Sequence, residues 1–292
     1  MHSHSHPHSD GIVSKVALSS FFAALLLTTL KSIVGFQTHS LGILAEAAHS
    51  LIDLFAALIT LWAVKVSAEP ADQEHHFGHG KIENFSALIE VILLWITCIW
   101  ICLEVFHRYT GKGHPEIEPN IWAFSVVLIS IAVDFFRSRE LQRVAKEHDS
   151  QALAADAMHF ASDMYSSLAV LIGLIGVVCG FAWADAIAAL GVAGWTFWIS
   201  IKLVQEAFDQ LMDKAPEGVE PNILKIMSEI EQIKQIPSLR VRKSGANLFV
   251  DLTVSLDKNM SFEEAHSITD RIEDNIRSNY SRAFISVHAE PV

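Results

Sequence analysis

The chain has 292 residues, a formal net charge of -12 and 51% hydrophobic residues, at a mean hydropathy of +0.34. The acidic balance excludes the basic footprint of a nucleic-acid-binding protein, and the apolar fraction points to a membrane protein with a soluble part. Three cysteines are too few for a disulfide framework; Cys98, Cys102 and Cys179 fall in apolar segments, where packing as small hydrophobes is favoured over a soft-metal site.

The opening MHSHSHPHSD carries His2, His4, His6 and His8 at alternate positions. It reads as a metal-gathering tail or as a leader without a role. Lacking Lys, Arg and a short apolar core, it is not read as a cleavable signal peptide. At about 20 residues per span, six transmembrane helices follow, at 12–36, 41–66, 84–106, 120–136, 151–180 and 183–208, with Asp134 interrupting the end of the fourth. Lys15, Lys65, Lys81, Arg137, Arg139, Arg143, Lys146 and Lys214 fall on one side, against Lys31, Arg108 and Lys112 on the other. The richer side is expected in the cytoplasm, which puts both termini inside.

Pro and Gly in LMDKAPEG at 211–218 mark a boundary. Three regions result: a His-rich tail at 1–10, a six-helix membrane domain at 11–210 and a C-terminal domain at 211–292. In the last, Ile223, Ile226, Ile230 and Ile233 recur at helical spacing, predicting a helix over 221–235. A short strand is expected at 239–243, and the alternation of Leu248, Val250, Leu252 and Val254 predicts a half-buried strand over 247–256. Ser261 with Glu264 reads as a capping box opening a helix through Ile276, and 284–288 reads as a last strand. The order αββαβ describes a small α+β domain of ferredoxin-like type, too short to be an enzyme by itself.

Two segments of the membrane region are nearly the same phrase. Residues 44–53 read LAEAAHSLID and residues 154–163 read AADAMHFASD. Each places an acid, a His three residues on and an Asp four beyond: Glu46, His49 and Asp53; Asp156, His159 and Asp163. At i, i+4 the His and Asp share one helix face, about 6 Å apart at Cβ. Two such faces turned together offer two imidazoles and two carboxylates, a tetrahedral Zn²⁺-type set. One buried His or Asp is ordinary helix-bridging; an in-phase duplicate inside two spans points to a pathway. Glu46 and Asp156, a turn away, accept from an imidazole N–H, line a vestibule or bond locally.

Between the second and third spans stands DQEHHFGHGKIE at 72–83. Asp72, His75 and His79 can hold a metal in a loop, with Gly78 and Gly80 allowing a tight turn. The alternative is an exposed His-rich loop.

HHFGHGKIE, the paired HxxxD motifs on spans two and five, and six spans before an αββαβ tail together resemble the cation diffusion facilitator family over 11–292. The resemblance implies that His49, Asp53, His159 and Asp163 form a transport site and that Asp72, His75 and His79 form a loop site. It also implies a third, cytoplasmic site, to which His266, His288 and Glu290 match. Other His ligands of bacterial members fall here on Pro237 and Thr253, and an Asp often stands where Glu290 is; a polar dimer surface is the other reading of His266 and His288. It implies further a homodimer in the bacterial inner membrane, with Lys81 pairing Asp213 near the dimer interface and with metal on the loop or tail biasing the conformational equilibrium.

The expected chemistry follows from the ligand set. Two carboxylates neutralise a dication in low dielectric, and imidazole must shed its proton to bind metal. Zn²⁺/H⁺ antiport by alternating access is therefore the expected function, with protons and the lipid bilayer as partners. Zn²⁺ is the transported ion and a candidate regulator. His rather than Asp at position 49 disfavours Mg²⁺ and Mn²⁺, while Fe²⁺, Co²⁺ and Cd²⁺ stay open as alternatives, Cd²⁺ being handled less well. A membrane hydrolase is disfavoured, since four ligands leave no open position and no HExxH is present. A membrane-anchored metal sensor or storage protein is the alternative of a different class.

Overall fold

The computed structural model describes residues 7–38, 41–110, 121–178 and 184–292. Six long helices come first: α1 (Pro7–Thr38), α2 (Leu41–Ser67), α3 (Ile82–Thr110), α4 (Ile121–His148), α5 (Gln151–Val178) and α6 (Ala184–Leu211). Then come α7 (Val219–Ser228), β1 (Gln235–Ser244), β2 (Asn247–Leu256), α8 (Phe262–Asn279) and β3 (Ala283–Pro291). Six membrane helices followed by a small αββαβ domain is the order the sequence predicts.

The chain divides into two compact units. One runs through Glu69 and resumes over Ile82–Ala207; the other combines Pro70–Lys81 with Phe208–Val292. The loop holding Asp72, His75 and His79 thus packs with the C-terminal elements.

In the first unit α1 packs chiefly on α2, α4 on α5, and α3 on both α2 and α5. The shared core uses small residues where helices cross: Ala17, Ala24, Ala57, Ala63, Ala152 and Ala157, with Leu61, Val64, Leu141, Val144, Leu153 and Phe160 filling between. Small side chains let helix backbones approach closely where lipid gives no hydrophobic drive between helices. Large apolar residues face outward instead, among them Phe22, Leu26, Trp62, Ile92, Ile99, Leu103 and Trp198, as a bilayer solvent requires. Among the described residues, three segments are long and apolar enough to span on their own: Gly11–Leu30, Ser50–Ser67 and Ile82–His107.

The helix bearing the fourth span continues past its apolar stretch, through Arg137 to His148. Good helix formers carry it on, and Leu141, Val144 and Ala145 bury one face in the same core. It ends at Asp149, in the left-handed region at φ 54°. Ser150 then opens α5: its Oγ accepts from the Leu153 N–H at 3.3 Å and donates to Glu83 Oε2 at 2.5 Å, while Ser67 Oγ donates to Glu83 Oε1 at 2.9 Å. One buried carboxylate thereby ties the end of α2 and the start of α3 to the start of α5.

In the second unit β2 is central, antiparallel to β1 and parallel to β3. Ile223 and Met227 of α7 and Ile268, Ile272 and Ile276 of α8 pack with Val250, Leu252 and Val254 of β2. The capping box of Ser261 and Glu264 forms as its residues predict. Two boundaries differ from the periodicity. α7 stops at Ser228, so Ile230 and Ile233 reach the core from a turn rather than a helix. β1 begins at Gln235, because Lys234 N–H and Gln235 already meet Ser255, and a register shift before Ser238 accommodates Pro237.

Candidate metal centres

The membrane centre lies between α2 and α5. Helical spacing puts His159 and Asp163 on one face of α5, and α2 brings Asp53 against it. His159 Nε2 stands 2.9 Å from Asp53 Oδ1 and 3.9 Å from Asp163 Oδ2. One ligand atom from each of the three residues lies within 4.8 Å of the others. The His159 side chain is 2% exposed, against 14% for Asp53 and 18% for Asp163. His49 sits one turn before Asp53 on α2, but its side chain lies outside the described residues, as does that of Glu46.

Neighbouring helices hold this face in place. Thr28 Oγ1 of α1 donates to the Ser50 carbonyl of α2 at 2.8 Å, beside Asp53. Ser20 Oγ donates to Asp156 Oδ2 at 2.6 Å. Asp156 Oδ1 and His159 Nδ1 are both buried without a hydrogen-bond partner, so Asp156 binds α1 rather than the imidazole of its own helix. A further acid stands nearby that sequence reasoning passed over. Glu90 of α3 is 1% exposed, accepts on Oε1 from Thr60 Oγ1 and from Ser86 Oγ, and leaves Oε2 unpartnered. A carboxylate inside an apolar span is itself a functional signal, and that test would have singled it out.

The loop centre is built on a turn. Asp72 Oδ1 accepts from the N–H groups of Glu74 at 2.8 Å and His75 at 2.5 Å. Hydrogen bonds from the His75 and then the Glu74 backbone hold the Asp72 carboxyl below its ordinary range. Gly78, at φ 76°, turns the chain so that His79 comes back beside His75, their rings 4.4 Å apart. His75 Nδ1 is 3.4 Å and His79 Nε2 3.6 Å from the Asp72 carboxylate. The three residues form the second group with metal-ligand reach among the described residues.

Aromatic and charged contacts fasten this loop to the tail elements. Phe77 meets the Phe249 ring edge-on at 5.4 Å, and the Arg242 guanidinium lies over Phe77 at 4.3 Å and over Phe249 at 5.0 Å. Lys81 Nζ donates to Asp213 Oδ1 at 2.9 Å, and Arg242 Nη1 reaches the same oxygen at 3.3 Å. Partial burial pushes the Asp213 carboxyl up, but Lys81 and then Arg242 outweigh it and the net shift is downward.

The tail residues are not gathered within one protomer. His288 and Glu290 approach to 3.7 Å on β3, while His266 on α8 pairs with Asp270 at 3.8 Å and stacks on Phe262. All of these residues are more than half exposed, Phe262 the most at 87%. Cys98 is buried and Cys102 exposed on α3; Cys179 and His2, His4 and His6 lie outside the described residues.

Comparisons with known proteins cover almost the whole chain. Residues 17–212 match the cation efflux transmembrane domain, and residues 215–292 match the cation efflux protein cytoplasmic domain. The cation-efflux pump FieF of Pectobacterium atrosepticum is 30% identical over 290 residues, 98% of this chain and 95% of that protein. FieF of Yersinia enterocolitica is 31% identical over the same shares. The metal-bound C-terminal domain of the CzcD transporter from Thermotoga maritima is 20% identical, covering 25% of this chain and 86% of that one, at a TM-score of 0.24. The chain belongs to the cation efflux family, the cation diffusion facilitators.

Proposed function

We propose that the chain exports Zn²⁺ across the bacterial inner membrane in exchange for protons, by alternating access, with both termini in the cytoplasm. The observation that carries this reading is the position of His159 Nε2 between Asp53 and Asp163. That nitrogen offers its lone pair to a metal or to a proton, never to both. Two carboxylates around it offset the charge of a bound dication, and a proton on the imidazole replaces part of that charge after the ion leaves. His49, one turn along α2, completes a four-ligand N/O set suited to Zn²⁺. Export as the direction draws on the relatives, which are named cation-efflux pumps.

Asp72, His75 and His79 bind a regulatory Zn²⁺ in this reading, and His266, His288 and Glu290 belong to a tail site. The working form is a homodimer. The domain bounds proposed with this reading are 1–10, 11–210 and 211–292.

The test is flux into sealed vesicles under controlled pH gradients, across Zn²⁺, Fe²⁺, Co²⁺, Cd²⁺ and Mn²⁺, with a pH-sensitive dye inside. Zn²⁺ is expected to move fastest and protons to move against it. Asp53→Ala or Asp163→Ala is expected to abolish flux in a protein that still folds and dimerises. Wild-type flux in either variant sinks the site, and metal movement without proton movement makes the protein a uniporter. Binding without any flux favours the sensor or storage reading.

A further inference from the structure

A cavity of about 500 Å³ opens between α4 and α5, and none of Asp53, His159 and Asp163 lines it. Its two ends differ in chemistry. Phe135, Met164 and Tyr165 line one end, and Arg139, Arg143 and Lys146 line the other, with Ser138 and Gln142 between. At 1.5 Å per helical residue, Phe135 to Lys146 spans about 16 Å along α4, enough for a phospholipid's phosphate, glycerol and first acyl carbons.

The surroundings match that occupant. The apolar end continues into outward-facing residues, Phe135, Phe136 and Leu168, on helices that cross the bilayer. The basic end begins where the apolar stretch of α4 stops. Arg139, Arg143 and Lys146 are all exposed, so their charges face the cavity and solvent rather than the protein core. Arg143 Nη2 is paired with Glu140 at 2.6 Å, and Arg139 lies 5.8 Å over the Phe135 ring. Among the described residues, no carboxylate stands at ion-pair distance from Arg139 or Lys146. In a chain of net charge -12, three cations converging on one cleft beside an apolar slot call for an anion with an apolar body.

We propose that this cleft is a binding site for an anionic phospholipid, with its phosphate held by Arg139, Arg143 and Lys146 and its acyl chains along Phe135, Met164 and Tyr165. Guanidinium groups take phosphate oxygens in pairs, and lysine adds a point charge. Basic clefts between transmembrane helices at the membrane surface are the usual form of such sites. α5 also carries His159 and Asp163, so a lipid wedged here bears on a helix of the membrane centre.

The full-length protein is purified in detergent, exchanged with phosphatidylglycerol or phosphatidylcholine, and analysed by native mass spectrometry for retained lipid. Phosphatidylglycerol is expected to be retained in preference. Replacing all three cations (Arg139→Gln, Arg143→Gln and Lys146→Gln) is expected to lower that retention at least about tenfold. The charge-conserving pair Arg139→Lys with Lys146→Arg should keep most of it, and Lys146→Gln alone, at an exposed position, gives a folded variant with a partial loss. Equal retention of the two lipids, or no loss in the triple variant or in Lys146→Gln, overturns the site. Displacement of phosphatidylglycerol by an equal concentration of inorganic phosphate assigns the cleft to a free anion and overturns the lipid.

Discussion

Gly80 lies against Ser244 so closely that a Cβ on Gly80 would stand 2.6 Å from the Ser244 carbonyl oxygen. Gly245, at φ 57°, approaches Gly80 from the same hairpin. Backbone meets backbone, so neither side can yield by moving a flexible side chain. The loop of Asp72, His75 and His79 is seated on the β1–β2 turn by this contact. Gly80→Ala is expected to unseat it and to destabilise the C-terminal unit by about 1–3 kcal/mol, the cost of overpacking. Hydrogen exchange should rise in residues 72–81 and at the β1–β2 turn, and Zn²⁺ affinity at the loop should fall. Unchanged exchange in both segments would mean the loop does not depend on that seat.

On the proposed reading, removing His75 and His79 separates regulation from passage. Asp72, His75 and His79 pack in the C-terminal unit, whereas Asp53, His159 and Asp163 belong to the helices. His75→Ala with His79→Ala is expected to remove one bound Zn²⁺ per protomer and to lower transport without abolishing it. Metal content and vesicle flux are read on the same preparation. Complete loss of flux with the membrane site still loaded would make the loop an obligatory relay.

Much of this architecture is legible in the residues, for identifiable reasons. The duplicated HxxxD has a period that only a helix can bring to one face, and β2 carries Leu248, Val250, Leu252, Val254 and Leu256 at every second position, so its observed bounds match the pattern. The capping box is a local device that needs nothing beyond Ser261 and Glu264. Features that depend on distant partners are not legible. β1 extends to Gln235 because Ser255 is there to pair with it, and α7 ends early although its apolar spacing continues. α4 runs on to His148 because α5 covers its inner face. The placement of Arg242 between Phe77 and Asp213 joins residues far apart in the chain, and no spacing rule announces it.

Acid should loosen the clasp of Lys81 and Arg242 on Asp213. The folded-state carboxyl titrates below its unfolded value, so its stabilising contribution is full above about pH 4 and is lost as pH falls through the lower folded value. The pair is partly exposed, 35% for Lys81 and 46% for Asp213, which limits the effect to under about 1 kcal/mol. Hydrogen exchange in β1 should differ between wild type and Asp213→Asn at neutral pH, and the difference should shrink as acid is added. A difference that stays constant down to the lowest pH would remove Asp213 from the clasp.

Glu90 offers the sharpest test of proton coupling. It is enclosed on α3, receives hydrogen bonds from Thr60 of α2 and Ser86, and lies within the electrostatic reach of Asp156 and His159. A bare carboxylate in an apolar span is costly, and a proton or a passing cation offsets that cost. Glutamine is nearly the same shape and can still accept from Thr60 and Ser86, so Glu90→Gln removes the charge while keeping the packing. Zn²⁺ binding at Asp53, His159 and Asp163 is expected to persist, because none of those ligands changes. On the proposed exchange of Zn²⁺ for protons, Glu90→Gln is expected to weaken any acceleration of flux by an opposing proton gradient, with fewer protons moved per ion. The two readouts divide the explanations. Lost binding makes Glu90 a structural support for the helix packing, whereas intact binding with unchanged proton coupling leaves the exchange to His159 and its two aspartates alone.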